Sequence, residues 1–197
     1  MERKTGTWAS ISRVLFALVV AVSGCGLDSG LHGVTVKPPR EVPSFEFTRA
    51  DGSVYRTAAE ADRPMVLFFG YTHCPDVCPT TLQDWKRVKQ ALGKNASGVR
   101  FVFVTVDPER DTPEVVDKYA KQFDPSFVGL SGDSLTTARM QEAFGVASIR
   151  DVTTSAAGYL MSHSSQVFLV DERGRLVVLY AFGTGWDALL ADLKQLL

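Results

Sequence analysis

Runs of apolar residues alternate with amphipathic segments along most of the chain, and each kind predicts a different element. The continuous apolar runs PMVLFFGY (64–71) and VRFVFVTV (99–106) have the length of strands and no polar face. Such runs are typical of strands at the centre of a sheet that is covered on both sides. The segment SFEFTRADGSVYR (44–56) instead predicts a hairpin that turns at Asp51-Gly52.

Apolar residues recur at helical spacing between these runs. The segment TTLQDWKRVKQALG (80–93) predicts a helix that begins near Pro79 and stops at Gly93. TPEVVDKYAKQF predicts a second helix, with Thr112 as N-cap and Pro113 at its first position. SFVGLSG predicts a further short strand, and SQVFLVDERGRLVVLYAFG predicts two strands that turn at Arg173-Gly174. Two more helices are predicted, SLTTARMQEAFGV, which begins at Ser134 or a neighbour, and WDALLADLKQLL at the C-terminus.

This order of elements predicts an α/β protein. Alternating strands and helices with a closing hairpin indicate a three-layer sandwich with a mostly parallel central sheet and extra hairpins. Two cysteines lie between the first long strand and its helix, which is a thioredoxin-like arrangement. Ligands in such folds bind beyond the carboxyl ends of the strands. The cysteines are therefore expected at the functional end of the sheet.

The N-terminus predicts export and a lipid anchor. Basic residues precede the short apolar run VLFALVVAV (14–22), and Ser23-Gly24-Cys25 follows. Nine apolar residues are too few to span a bilayer, so the run indicates a signal peptide. Because the cysteine follows Val-Ser-Gly, the stretch resembles a bacterial lipobox. We expect a signal peptide over 1–24, lipidation at Cys25, a flexible tether over 25–43 and a domain over 44–197, held on the extracytoplasmic, periplasmic side of a bacterial membrane.

Composition adds two limits. The formal net charge of −1 gives no reason to expect nucleic acid as a partner. If Cys25 carries lipid, the exported domain keeps only Cys74 and Cys78, and one pair is too few to build a disulfide scaffold. The pair is therefore expected to serve a local chemical role.

The motif GYTHCPDVCPTT (70–81) leaves three roles open for that pair. The cysteines share a loop or an irregular turn at the positive end of a helix dipole, a place that favours thiolates. Side chains at i and i+4 face the same way and could bind one ion. The same spacing also fits the roughly 7 Å limit between Cα atoms for a disulfide. A structural disulfide, a redox couple and a metal site all remain possible.

His163, in YLMSHSSQVFLV, is the candidate third ligand. It precedes a predicted strand, on a loop that the fold can bring over the cysteines. Two thiolates and one imidazole are soft ligands suited to copper, either Cu(I) or Cu(II). Structural zinc would need a fourth protein ligand, and none stands out. His73 and His32 are expected to be surface residues, the latter within the tether.

Three separated motifs resemble the SCO/SenC family of copper-binding, membrane-tethered, thioredoxin-like proteins. They are GYTHCPDVCPTTL, FVFVTVDPERDTPEVV and YLMSHSSQVFLVDERGRL, and the similarity covers residues 44–197. The resemblance implies copper held by Cys74, Cys78 and His163. It also implies delivery of copper to the copper A centre of cytochrome c oxidase, or reduction of that centre's cysteines.

The resemblance also suggests neighbours and partners. It makes Asp107 a carboxylate next to the metal ligands, although a turn residue before Pro108 is an equal alternative. Arg110 and Asp111 are expected on a surface loop. Many family members carry an acidic residue where this chain has Ser162. Partners would be the oxidase subunit with the copper A centre, and another copper chaperone or a thioredoxin-like reductant.

Two other activities compete with copper delivery. An extracytoplasmic thiol–disulfide oxidoreductase would use the same cysteines, although ordinary members have C-x-x-C rather than C-x-x-x-C. A peroxidase of the peroxiredoxin type is disfavoured, since Tyr71 and Leu67 stand where that family has Thr or Ser and Pro. Whether the protein is an enzyme is open at this point.

Overall fold

The computed structural model describes residues 1–2, 30–57, 62–152 and 158–197. The strands in chain order are β1 (Val34–Glu41), β2 (Glu46–Thr48), β3 (Val54–Arg56), β4 (Met65–Gly70), β5 (Arg100–Thr105), β6 (Val128–Leu130), β7 (Ser148–Val152), β8 (Tyr159–His163), β9 (Val167–Val170) and β10 (Arg175–Tyr180). The α-helices are α1 (Val77–Leu92), α2 (Pro113–Phe123), α3 (Ser134–Phe144) and α4 (Trp186–Leu196).

Six of these strands form one central sheet, in the order β1-β10-β9-β4-β5-β6. The pairs β4–β5 and β5–β6 are parallel, whereas β4–β9, β9–β10 and β10–β1 are antiparallel. The predicted α/β class is confirmed, and the sheet is mixed, with its parallel part confined to β4, β5 and β6. Two separate hairpins, β2–β3 and β7–β8, lie outside it.

Side chains on both faces of β4 are buried by helices. Every residue of β4 is buried. Phe68 packs edge-on against Trp85 of α1, with ring centroids 6.4 Å apart. The next residue, Phe69, packs against Phe144 of α3 and against Phe168. Because successive side chains of a strand point to opposite faces, α1 and α3 cover opposite sides. This confirms the predicted three layers.

The helix starts follow local sequence signals, with one difference. The Thr112 hydroxyl accepts from the backbone N–H of Val115, and Asp133 caps α3 by accepting from the N–H of Thr136. Helix α1 begins at Val77, two residues before the predicted start at Pro79. A proline is tolerated in a first turn because its missing N–H has no helical partner there. Cys78 is consequently inside the first turn and not at the cap.

The prediction of a flexible tether is wrong for its C-terminal part. Residues 34–41 form β1, which pairs antiparallel with β10 at the edge of the sheet. Just before it, the backbone N–H and ring Nδ1 of His32 bond the fully buried carboxylate of Asp192 in α4, at 2.9 and 2.8 Å. Two prolines in the segment misled the prediction, since an edge strand tolerates proline on its unpaired side. His32 thus belongs to the fold.

The predicted signal peptide beyond residue 2, the lipidation site Cys25 and residues 26–29 of the tether lie outside the described residues. None of the helices in the described ranges has the length and apolar content needed to cross a membrane.

Candidate functional site

The cysteine loop follows the buried end of β4 and leads into the first turn of α1. Cys78 is fully buried, whereas Cys74 is half-buried and reaches the surface. Gly70 makes room for the inner thiol, because a Cβ added there would lie 2.7 Å from Cys78 Sγ and 2.6 Å from the ring of Phe103. A side chain at this position would displace the thiol, so the end of β4 needs glycine.

Cys74 takes the place of a side-chain cap on α1. Asp76 stands at the N-cap position but makes no side-chain cap bond. Instead, the backbone N–H of Cys78 donates to Cys74 Sγ at 3.4 Å. Hydrogen bonds from the Cys78 thiol and from His163 outweigh partial burial and lower the pKa of Cys74 to about 4. The positive end of the helix dipole acts in the same direction. Cys74 is therefore a thiolate at neutral pH.

Cys78, in contrast, keeps its proton. Donating to the Cys74 thiolate, together with burial, raises the pKa of Cys78 above its ordinary value. Both residues are free cysteines in this structure and no disulfide joins them. The metal-free pair therefore consists of one accessible thiolate and one buried thiol.

His163 reaches the cysteines from the β7–β8 hairpin, which lies outside the central sheet. The residue was predicted on a loop, but it is the last residue of β8 and pairs with Ser148 of β7. Its Nε2 lies 3.9 Å from Cys78 Sγ. Its Nδ1 lies 3.0 Å from the carbonyl oxygen of Ser164, which accepts the Nδ1–H. That bond leaves Nε2 facing the sulfurs, available as a ligand when the ring is neutral.

Aromatic rings hold the imidazole in this orientation. The ring of His163 meets Phe68 and Tyr71 edge-on, with centroids 5.9 and 6.0 Å apart. Both aromatic residues belong to or directly follow β4, whose end also carries the cysteine loop. The sheet therefore fixes the imidazole and the thiols relative to each other.

The donor set fits a copper ion, although it is not fully closed. With the bond lengths typical of zinc, about 2.3 Å to sulfur and about 2.0 Å to nitrogen, an angle of 120° at a metal ion places the two donor atoms roughly 3.7 Å apart. The observed 3.9 Å between Cys78 Sγ and His163 Nε2 is close to that value. No group of three metal-binding side chains in the described ranges already stands at ligand distances. Binding would thus require the side chains to close around the ion.

Asp107 makes a different set of contacts from those expected of a residue beside the thiols. Its buried carboxylate accepts from the hydroxyl of Tyr159 at 2.8 Å and from Arg110 Nε at 2.6 Å. Tyr159 belongs to β8, so Asp107 is bonded to the strand that carries His163. Its suggested closeness to a metal stays a prediction.

Asp111 corrects the prediction of a surface loop. Its carboxylate is fully buried and accepts from the backbone N–H and hydroxyl of Thr72, at 2.9 and 2.5 Å, and from the Thr105 hydroxyl at 2.7 Å. Thr72 begins the loop that carries the cysteines, so this buried carboxylate holds that loop. The one sequence signal was Thr105, a hydroxyl within an apolar strand that needs a buried partner. Arg110 is likewise mostly buried, with a side chain 19% exposed.

The remaining candidates lie around the site. The Ser162 hydroxyl donates to Asp151 on the neighbouring strand, so a carboxylate stands near the position where family members have an acid. His73 is half-exposed, and its Nδ1 lies 3.2 Å from the Thr72 hydroxyl and 3.8 Å from Asp111. His32 bonds Asp192 and contacts neither cysteine in the part of the chain that the structure describes. Among the described histidines, His163 is the one in contact with a cysteine sulfur.

Comparisons with known proteins identify the family of this chain. The SCO1/SenC family model matches residues 34–197. An SCO2-like protein of Rickettsia prowazekii is 34% identical over 132 residues, which are 66% of this chain and 64% of that protein. The match thus spans just under two thirds of that relative's length.

Two solved structures are similar over nearly their whole length. Apo Sco1 from Thermus thermophilus is 40% identical with a TM-score of 0.77, and the match covers 87% of this chain and all of that one. Copper-bound ScoI from Bradyrhizobium japonicum is 37% identical with a TM-score of 0.72, covering 80% and 99%. The thioredoxin-like fold expected from the sequence is the fold of these proteins.

Proposed function

The chain belongs to the SCO1/SenC family, and on that basis we propose that it is a membrane-tethered copper carrier for cytochrome c oxidase assembly. It would deliver copper to the copper A centre, or reduce the cysteines of that centre. One observation carries the proposal: His163 Nε2 lies 3.9 Å from the buried Cys78 sulfur, on the same side as the Cys74 thiolate. The copper-bound ScoI at 37% identity supports copper as the ion.

Each donor contributes a separate property to copper binding. Cys74 offers a thiolate without losing a proton, because its pKa is about 4. Cys78 must release its proton as the ion binds, so binding is coupled to pH. His163 offers Nε2 once the proton that it donates to Cys74 is released, because the Ser164 carbonyl holds the Nδ1–H. Two sulfurs and one nitrogen leave the ion three-coordinate, which allows a ligand from a receiving protein to enter.

The accessible side of the site suggests how the ion leaves. Cys78 is buried behind the loop, whereas Cys74 is half-exposed. A cysteine of the receiving protein would therefore reach the copper from the Cys74 side. Transfer by successive ligand exchange keeps the ion bound throughout, which avoids its release into solution.

Thiol–disulfide exchange is the second candidate, and the Cys74 thiolate favours it. Cys74 would attack a partner disulfide and form a mixed disulfide while one partner cysteine leaves as thiolate. Cys78 would then lose its proton, attack Cys74 and release the second partner cysteine. The partner disulfide gains two electrons, and its two sulfurs take up one proton from Cys78 and one from solvent. This chain ends with a Cys74–Cys78 disulfide that another reductant must reduce.

The tether completes the proposal. Cleavage before Cys25 and acylation of that cysteine would anchor the domain on the periplasmic side of a bacterial membrane. The chain then continues to His32 and β1, which are fixed to the sheet edge and α4. A copper chaperone or a thioredoxin-like reductant would serve as the upstream partner.

A transfer experiment separates the two activities. Copper-loaded protein is mixed with the reduced, metal-free copper A domain of an oxidase subunit, and the copper content of each protein is measured after separation. We expect copper to move to the receiver from the wild type. His163→Ala, loaded in the same way, should hold and therefore deliver roughly tenfold less copper, because the lost ligand weakens retention of the ion. In a parallel arm, the metal-free, reduced protein is mixed with the oxidised receiver, and the free thiols of the receiver are counted.

The two arms have distinct outcomes. Copper transfer that depends on His163 supports the carrier. If no copper moves, while wild type and His163→Ala reduce the receiver's disulfide equally fast, the protein is a dithiol reductant and the carrier proposal is wrong.

A further inference from the structure

The β7–β8 hairpin presents one face to the protein interior, and His163 is at its end. Tyr159, Met161 and His163 alternate along β8 and therefore point the same way. The ring of His163 meets that of Tyr71, the residue after β4, with centroids 6.0 Å apart. Met161 also packs against the hydrophobic core. The hairpin thus lies along the core, and its position sets how near the imidazole comes to the thiols.

Tyr159 is the most strongly held residue of this face. Its hydroxyl donates to Asp107 Oδ1 at 2.8 Å, and the guanidinium of Arg110 lies 3.5 Å from its ring centroid. Arg110 also donates to the Tyr159 carbonyl at 3.1 Å. A second guanidinium, that of Arg150, lies 4.3 Å from the same ring and is paired with Glu109 at 2.6 Å. Cation–π contacts and a bond to a buried carboxylate thus act on one side chain.

The partner of Tyr159 is fixed to the cysteine loop. The carbonyl of Asp107 accepts from the N–H of Asp111 at 3.0 Å, and the Asp107 N–H bonds the Thr105 hydroxyl at 3.0 Å. Asp111 in turn holds Thr72 at the start of the cysteine loop. One short segment, residues 107–111, therefore holds the thiols through Asp111 and the His163 strand through Asp107.

We propose that Tyr159 is a positioning residue, which keeps His163 over the two thiols through its bond to Asp107 and its packing on Arg110. Loss of this contact would leave the cysteines in place and let the far end of β8 move, so that the imidazole spends less time on the ion. The inference rests on the proposed copper binding, and it identifies Tyr159 as the residue that controls how long copper stays bound.

The test removes a single hydroxyl. Tyr159→Phe in the full chain keeps the ring beneath both guanidiniums but loses the bond to Asp107. The matched control is Tyr180→Phe, since the Tyr180 hydroxyl also donates to a buried carboxylate, Asp192, at 2.9 Å. With Cu(I) bound, loss of the ion to excess chromophoric chelator should be roughly tenfold faster in Tyr159→Phe. The rate in Tyr180→Phe should match the wild type.

A double-mutant cycle distinguishes positioning from general loosening. In a His163→Ala background, Cu(I) is held by the cysteines alone, so Tyr159→Phe should no longer change the rate of copper loss. Arg110→Lys provides a second variant, which keeps the charge but loses the flat contact with the ring, and should also accelerate loss only when His163 is present.

The outcomes are separable from failure of the proposed function. A wild-type protein that binds no copper refutes the copper carrier itself. Copper binding by the wild type with an unchanged rate in Tyr159→Phe overturns only the role of Tyr159, as does an equal acceleration with and without His163.

Discussion

Replacing Asp111 with alanine is expected to destabilise the protein by roughly 3 kcal/mol, a large effect for a single loop residue. Asp111 is fully buried and accepts from the Thr72 N–H, the Thr72 hydroxyl and the Thr105 hydroxyl. Alanine would leave these donors without their acceptor inside the protein, each at a cost of about 1 kcal/mol or more. Urea unfolding followed by tryptophan fluorescence measures the change.

A surface carboxylate serves as the control for Asp111. Asp117 forms an i,i+4 ion pair with Lys121 at 2.7 Å, on a partly exposed face of α2. Asp117→Ala should cost no more than about 0.5 kcal/mol. Asp111→Asn, which keeps the shape and one acceptor oxygen, should recover part of the loss. Equal stability of Asp111→Ala and Asp117→Ala would show that the buried carboxylate does not hold the cysteine loop.

Cys74 of the metal-free, reduced protein is expected to react with iodoacetamide at nearly the same rate at pH 6 and pH 8. Its pKa of about 4 makes it a thiolate across this range. An ordinary thiol with a pKa of about 8.5 would instead react roughly 80-fold more slowly at pH 6 than at pH 8. Mass spectrometry of the Cys74 peptide follows the reaction without interference from Cys25 or Cys78.

The unfolded chain provides the reference for Cys74. In urea, the hydrogen bonds from Cys78 and His163 are lost, and the alkylation rate should regain the steep dependence on pH. The depressed pKa also contributes to stability in a definite window: the contribution from Cys74 is full above pH 9, decreases as the pH falls, and is lost below about pH 4. A steep profile in the folded protein would mean that Cys74 is an ordinary thiol.

The parts of the fold that the sequence predicted are those with strong local signals. Strands β4 and β5 follow from unbroken apolar runs. Helices α2 and α3 follow from a periodic pattern, with Thr112 at the start of the first and Ser134 or a neighbour at the start of the second. Strand β1 was missed because its pairing with β10 depends on residues some 140 positions away and not on its own composition. The β7–β8 hairpin was missed because none of the residues in its two strands is fully buried, so no unbroken apolar run marks it.

The same division holds at the site. Cys74, Cys78 and His163 could be selected from their chemistry and the expected topology, and the structure brings His163 Nε2 within 3.9 Å of Cys78 Sγ. The residues that position these three side chains could not be selected from the sequence. The sequence DPERD has the composition of a surface turn, and the burial of Asp111 arises only because that turn folds back onto the cysteine loop. Likewise, nothing near Tyr159 in the sequence indicates its bond to Asp107, 52 positions away.

Copper stoichiometry and absorption of the reduced protein test the central claim most directly. The wild type should bind one copper per chain and show a sulfur-to-copper(II) charge-transfer band. His163→Ala should lose that band, whereas His73→Ala should keep it, because His73 is half-exposed and bonds Thr72 instead of a sulfur. The same band and stoichiometry in His163→Ala as in the wild type would contradict a site made of two thiols and this imidazole.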